Sequence, residues 1–172
     1  MGHSLFNHTL SQSELSALRL DGELSPQYEF WEHIDDWRSR SLQVLSREIH
    51  PLVLTSESAA WALGVVPQPQ AHTASTITVH RIRQPRNPEV KIEQRNLTTS
   101  EFWSEGMFGV TTPMRTVTDL LRSGILTSSQ SVSFSRKVQQ HFSLEKADII
   151  SGLEKMVSYP NIRNALLRAK SL

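Results

Sequence analysis

Apolar residues in the first part of the chain recur mainly at helical spacing. From residue 11 to about residue 49 this spacing predicts two helices, the second of which ends at His50-Pro51. Leu52–Leu54 is a short apolar run that fits either a strand or a turn. Residues 56–63 predict a further helix, which Gly64 would end in a left-handed conformation.

The middle of the chain has the alternating pattern of strands. Thr76–Arg83 and Val90–Gln94 alternate β-branched and polar residues, so we predict two strands joined as a hairpin by a five-residue connection. Met107–Val110 predicts a third strand. The stretches around them, 67–75 and 97–105, are polar and are predicted to be connections.

The last third of the chain is predicted to be helical. Thr112 and Pro113 have the residue types that cap and begin a helix, and further helices are predicted to begin near Ser129, Ser143 and Pro160. We therefore expect an α+β fold. It would contain a small mixed sheet of about three to four strands flanked by helices, with helical N- and C-terminal regions.

The composition and the absence of known motifs exclude several kinds of catalytic and metal-binding site. The 172 residues include no cysteine, which excludes disulfides, thiolate metal sites and a cysteine nucleophile. The seven histidines are scattered, and the chain has no G-x-S-x-G, phosphate-binding loop or dinucleotide-binding motif. We expect no metal, no cofactor and no catalytic residue, and thus a protein that is not an enzyme. The short apolar runs and the N-terminal residues predict a cytoplasmic protein without a membrane partner.

Charge is unevenly distributed along the chain. Residues 1–50 carry four basic and eight acidic residues, whereas residues 51–172 carry fourteen basic and nine acidic residues. Basic residues are concentrated on the predicted hairpin. One interpretation is a ribbon that contacts nucleic-acid phosphates, and the other is an exposed strand whose charges prevent edge-to-edge pairing. The candidate phosphate ligands are Arg81, Arg83, Arg86, Lys91 and Arg95.

Two smaller patterns also have alternative interpretations. Arg115 and Asp119 are four residues apart on a predicted helix, which favours an ion pair that holds the fold together, although Arg115 could instead bind an anion. Trp31 and Trp37 belong to an aromatic group on an early helix. They either fill a core or form a docking face for a partner.

Two segments together resemble a known family. Thr111–Leu120 resembles the T-x-P-x-R-T-x-x-D-L signature of the AbiEi-type antitoxins of type IV toxin–antitoxin systems, and Ser56–Gly64 resembles the serine–alanine–alanine block of the same family. The residues that carry the resemblance are Ser58, Ala59, Ala60, Gly64, Thr112, Pro113, Arg115, Thr116 and Asp119.

The resemblance implies an α+β antitoxin domain, here residues 51–172, behind an N-terminal winged helix that binds operator DNA. Residues 1–50 are predicted to form a short acidic helical unit, for which a degenerate winged helix is one interpretation. The implied function is a non-enzymatic antitoxin-like or transcriptional-regulator-like protein that binds duplex DNA, a cognate toxin or another protein. The alternative is a protein-interaction module that binds a toxin or nuclease and no nucleic acid. The pattern contains no signal for an oligomeric state.

Overall fold

A computed structural model describes residues 37–77, 86–156 and 159–172, which belong to one compact unit. This part of the chain contains six helices and five strands. The helices are α1 (Trp37–Leu45), α2 (Ser56–Ala62), α3 (Pro113–Leu121), α4 (Ser128–His141), α5 (Lys146–Glu154) and α6 (Ile162–Ala169). The strands are β1 (Leu52–Leu54), β2 (His72–Thr76), β3 (Val90–Glu93), β4 (Phe102–Glu105) and β5 (Phe108–Thr111).

The strands form one mixed sheet in the order β3-β2-β1-β5-β4. The central strand β1 pairs parallel with β5 and antiparallel with β2, and its three apolar residues are all buried. A continuous apolar run is typical of a strand that is covered on both faces. The α+β class with a mixed sheet is thus confirmed, but the sheet has five strands rather than the three to four expected.

The first strand of the predicted hairpin, Thr76–Arg83, lies outside the described residues beyond Ile77. Val90–Glu93 forms a strand as expected, and among the described residues its partner is β2, with which it pairs parallel in the register His72↔Val90. β2 itself occupies His72–Thr76, in and just after a stretch expected to be a loop. Asn87 explains the direction of β3. Its side-chain amide donates to the carbonyl oxygen of Val44, and its backbone N–H donates to Glu48, so the chain is held beside the end of α1 before β3 begins. Alternation identifies a strand but not the direction of its partner.

A second correction concerns β4, which lies in a segment expected to be a polar connection. β4 pairs antiparallel with β5, and Glu105 lies opposite Phe108. The two residues between them form a tight turn in which Gly106 has a φ of 59°. A two-residue hairpin that begins with glycine matches the twist of the strands on either side. Its edge position leaves three of the four β4 residues exposed, which is why the segment is polar.

Helix α3 begins as predicted, with Thr112 as its cap and Pro113 at its first position. The Thr112 hydroxyl accepts a hydrogen bond from the backbone N–H of Arg115. The apolar side of α3 is fully buried at Val117, Leu120 and Leu121, and the helix packs against α2 and α4. At about 25 cal/mol per Å² of buried apolar area, such side chains each contribute roughly 1.5–3 kcal/mol to folding.

The C-terminal helices cover the C-terminal end of α3. The Ser131 hydroxyl of α4 donates to the carbonyl oxygen of Leu120 over 2.6 Å, and Arg168 of α6 donates to the carbonyl oxygens of Leu121 and Ser123. These contacts satisfy carbonyl groups that have no partner within α3. In the described ranges, every helix is too short or too polar to cross a lipid bilayer.

Candidate functional site

A buried ion cluster surrounds the carboxylate of Asp119 on α3. Its Oδ1 atom lies 2.6 Å from Nη1 of Arg95, 3.2 Å from Nε of Arg115 and 3.7 Å from Nη1 of Arg122. Asp119 and Arg115 both have buried side chains, and Arg95 and Arg122 are largely covered. One carboxylate therefore lies within the reach of three guanidinium groups.

Two glutamates complete the cluster from the strand side. Glu93, at the end of β3, accepts two hydrogen bonds from Arg95, and Lys91 lies 3.5 Å from its other oxygen. Glu101 accepts from Nη1 of Arg115 over 2.6 Å. Arg95 and Arg115 thus each have a carboxylate of their own in addition to their share of Asp119.

These contacts shift the pKa values of the groups involved. Burial alone would raise the pKa of Glu93, but Arg95 and Lys91 outweigh it and hold that pKa below its usual range. Burial would likewise raise the pKa of Glu101, and hydrogen bonds from Thr98 and Arg115 hold it below its usual range. Burial lowers the pKa of Arg115, but Asp119 and Glu101 more than compensate, so the net change is upward. All three groups are therefore charged at neutral pH.

A cleft of about 540 Å³ opens beside the cluster. The Arg95, Arg115 and Arg122 side chains line it together with Asp119. Tyr159 forms part of another wall, and its ring lies 4.9 Å from the Arg122 guanidinium carbon. The volume falls in the range of small-molecule pockets, and the walls are rich in hydrogen-bond donors.

The residues expected to contact phosphates differ in their exposure and contacts. Arg86 and Lys91 are exposed, and the Lys91 side chain retains 62% of its accessible surface. Arg95 is instead held in the ion cluster. Arg81 and Arg83 lie outside the described residues. At least one basic residue of the predicted hairpin, Arg95, therefore pairs with carboxylates inside the protein and is not a free surface cation.

The residues of the serine–alanine–alanine block have structural contacts. Ser58 accepts a hydrogen bond from the backbone N–H of Thr73 over 2.8 Å, which joins α2 to β2. Ala59 and Ala60 are completely buried. Gly64 has a φ of 80°, and a Cβ atom there would lie 2.9 Å from the Arg40 guanidinium. Only a small residue that tolerates a left-handed backbone fits this turn.

In the second motif, Thr116 also has a clear structural contact. Its hydroxyl lies 2.8 Å from the hydroxyl of Thr111 and also reaches the Thr111 carbonyl oxygen. Both threonines are buried. The pair joins the end of β5 to the first turn of α3. It therefore stabilises the short connection between the strand and the helix.

Trp37 lies on α1, beside Trp103 of the edge strand β4. The ring centroids are 6.3 Å apart, and Arg38 lies over the Trp37 ring and pairs with Glu105. Trp103 is 40% exposed, so the aromatic group has a solvent-facing side. Trp31, the other tryptophan considered for partner docking, lies outside the described residues.

Sequence reasoning missed Arg122, Glu93 and Glu101 as members of the cluster. Arg122 is three residues after Asp119 on the same helix, so helical spacing could have identified it. Glu93 and Glu101 come from the sheet and from a connection. Glu93 is positioned by the parallel pairing of β2 and β3, and Glu101 by the β4–β5 pair, neither of which the sequence pattern predicted.

The described residues contain no group of three or more histidine and carboxylate side chains arranged to hold a metal ion. No family model, curated protein or solved structure matches the chain. The resemblance to AbiEi-type antitoxins therefore rests on its two sequence motifs.

Proposed function

We propose that this protein is a non-enzymatic, antitoxin-like or transcriptional-regulator-like protein that acts by binding duplex DNA. The observation that carries the proposal is the charge of its C-terminal helices. Residues 123–172 contain seven basic and three acidic residues, whereas residues 51–122 contain seven basic and six acidic residues. Most of the basic excess of the second part of the chain thus lies in and around α4, α5 and α6.

The placement of these cations supports contact with a polyanion. Arg136 and Lys137 are exposed on α4, as are Lys155 after α5 and Arg163 on α6. Lys146 donates to the carbonyl oxygen of Lys170 over 2.8 Å. Arg136 donates to the carbonyl oxygen of Ser171, so cations from two helices meet at the end of α6. Such a positive surface attracts nucleic acid through phosphate contacts that do not depend on base sequence.

Fluorescence anisotropy with duplex DNA from the region upstream of the protein's own gene tests this proposal. We expect affinity to fall steeply with salt, with a slope of about −0.9 per phosphate contact in a plot of log affinity against log salt. Reversing the charge of Arg136 and Lys137 to glutamate should weaken binding and reduce the slope by about two. The control is Arg47→Glu, an exposed site after α1, which should bind as the wild type does. Absence of binding at low salt contradicts the proposal.

A protein-interaction module is the second candidate, and the exposed side of Trp103 favours it. An aromatic side chain on an exposed edge strand, flanked by Trp37 and Arg38, has the composition of the centre of a protein interface. The partner to test is the product of an adjacent toxin-like gene. Trp103→Ser should weaken that complex at least tenfold and leave DNA affinity unchanged. Equal affinity of the variant and the wild type contradicts docking at this face.

A further inference from the structure

The cleft beside the ion cluster is lined by one cation, Arg122, that has little nearby negative charge to balance it. Counting Lys91, the cluster has four cations and three carboxylates. Glu93 is shared by Lys91 and Arg95, and Glu101 pairs with Arg115. Asp119 is shared by three guanidinium groups, of which that of Arg122 is the most distant, so Arg122 is the arginine with the least counter-charge. The lining of the cleft contains three arginines, Arg95, Arg115 and Arg122, and two carboxylates, Asp119 and Glu93.

The contacts of Arg122 are correspondingly weak. Its Nη1 atom is 3.7 Å from Asp119, beyond hydrogen-bond distance, and its Nε donates to the carbonyl oxygen of Pro160 over 3.4 Å. Burial lowers the pKa of Arg122; the charge of Asp119 opposes that effect but does not cancel it, and the charges of Arg115 and Arg95 add to the lowering. Only 11% of the side chain is exposed, so water replaces few of the missing contacts. A buried guanidinium group with unused donors is a strong site for an oxyanion.

The residues that line the cleft near Arg122 indicate the chemical groups that a bound anion would have besides its charge. Ser123 and Asn161 supply polar groups to the same lining as Arg122. Ile125, Pro160 and the ring of Tyr159 supply apolar surface, and the Ile125 side chain is exposed rather than packed in the core. A single surplus positive charge matches a singly charged anion better than a doubly charged phosphate.

We propose that this cleft binds a small organic monocarboxylate with an apolar body. Arg122 holds the carboxylate through its two parallel N–H groups, and the apolar body lies against Ile125, Pro160 and Tyr159. The bound anion would give Arg122 the counter-charge that Asp119 alone cannot supply. This assignment is independent of the proposed DNA surface, because that surface lies on the exposed sides of α4–α6.

Sodium benzoate and benzamide are suitable probes, because they share one shape and differ in charge. In an NMR titration of backbone amides, we expect saturable shifts for benzoate that are centred on Arg122, Ser123 and Asn161. Benzamide should bind at least about tenfold more weakly, because it lacks the charge that Arg122 pairs with. Inorganic phosphate, at the same ionic strength, should bind more weakly than benzoate.

Variants of Arg122 test whether this residue binds the benzoate carboxylate. Arg122→Gln should reduce benzoate affinity at least tenfold and remove the preference over benzamide. Arg122→Lys keeps the charge but loses the paired donors, so it should bind benzoate with intermediate affinity and serves if the glutamine variant does not fold. Arg47→Gln, at an exposed position after α1, is the matched control and should bind as the wild type does.

Three results would overturn the proposal. These are the lack of saturable benzoate binding at millimolar concentration, equal affinity for benzoate and benzamide, and unchanged benzoate affinity in both Arg122 variants. A preference for phosphate over benzoate would also overturn the assigned ligand class. None of these results affects the salt-dependence test of DNA binding, so the two proposals can fail separately.

Discussion

Nη1 of Arg95 lies 2.6 Å from Oδ1 of Asp119, and this ion pair joins the end of the edge strand β3 to the middle of helix α3. The sequence pattern made Arg95 a candidate phosphate ligand. In the structure, its charge is shared by two carboxylates, because Glu93 also accepts hydrogen bonds from it. Arg95 therefore contributes to the attachment of sheet to helix, and charge alone does not distinguish a buried counter-ion from a binding residue.

Replacement of Asp119 by asparagine should strongly destabilise the protein. The variant would leave Arg115 buried with one carboxylate fewer and Arg122 without any carboxylate near it. Loss of one partner of a buried ion pair costs about 3–5 kcal/mol. The measurement is the free energy of unfolding from urea denaturation followed by circular dichroism.

The matched control for this experiment is Asp148→Asn, on the exposed first turn of α5. That change should cost less than about 1 kcal/mol, because it removes only a favourable interaction with the helix dipole. Equal losses in the two variants would show that the cluster does not stabilise the fold.

Gly109→Ala should also destabilise the protein, for a steric reason. A Cβ atom at Gly109 would lie 2.4 Å from the backbone carbonyl oxygen of Trp103, across the β4–β5 pair. Backbone atoms in a paired strand cannot move aside, so we expect a loss of about 2–4 kcal/mol in the free energy of unfolding.

Gly152→Ala provides the comparison, because a Cβ atom there would meet no atom within 4 Å beyond its chain neighbours and its own helix backbone. Gly152 lies inside helix α5, where alanine is favoured over glycine by about 1 kcal/mol. Thermal unfolding should therefore shift downward for the first variant and upward for the second. The same direction of shift in both would contradict the steric argument.

The two halves of the structure differ in how well the sequence predicts them. Helices α3 and α4 follow local rules, since their caps and apolar spacing lie within a few residues of each other. Thr127 and Gln130 form a capping box at α4, close to the predicted start of that helix. The short apolar run at Leu52–Leu54 fitted either a strand or a turn, and the structure has strand β1 there. These elements were predictable because the interactions that define them are close in sequence.

The sheet edges and the ion cluster depend on interactions distant in sequence. The direction of β3 is set by Asn87, whose partners Val44 and Glu48 lie about 40 residues earlier. The Arg115–Glu101 contact follows from the β4–β5 turn, which places the connection before β4 beside α3. Local periodicity contains no information on such pairings, so the candidate site could be predicted only as the single Arg115–Asp119 pair.

The hydroxyl pair of Thr111 and Thr116 should show strong energetic coupling. Thr116→Val leaves the buried Thr111 hydroxyl without its 2.8 Å partner, so it should cost about 1–3 kcal/mol. Thr111→Val should cost less, because the Thr116 hydroxyl keeps its hydrogen bond to the backbone carbonyl oxygen of residue 111. The double variant removes both groups, so its cost should be well below the sum of the two. A double-mutant cycle of unfolding free energies measures the difference, and simple additivity would contradict the coupling.

His72 should make stability depend on pH in the mildly acidic range. Its side chain is buried in β2, its ring centroid lies 4.9 Å from that of Trp61, and its Nδ1 atom has no hydrogen-bond partner. Burial lowers the pKa of His72, and the negative charge of Glu89 offsets only part of that effect. The folded protein therefore binds the proton less readily than the unfolded chain does. Stability should be complete above about pH 6.5, the ordinary pKa of histidine, and should fall as pH drops from there towards the lower pKa of the folded state.

His72→Phe removes this titrating group while keeping an aromatic ring beside Trp61. Between pH 7 and pH 5, its free energy of unfolding should decline less than that of the wild type, by at most about 1.4 kcal/mol per pH unit for a single proton. His141→Asn, at an exposed position near the end of α4, should keep the wild-type slope. Urea denaturation at a series of pH values gives all three curves. If the phenylalanine variant and the wild type decline in parallel, the acid sensitivity has another source, and His72 is not protonated on unfolding in this range.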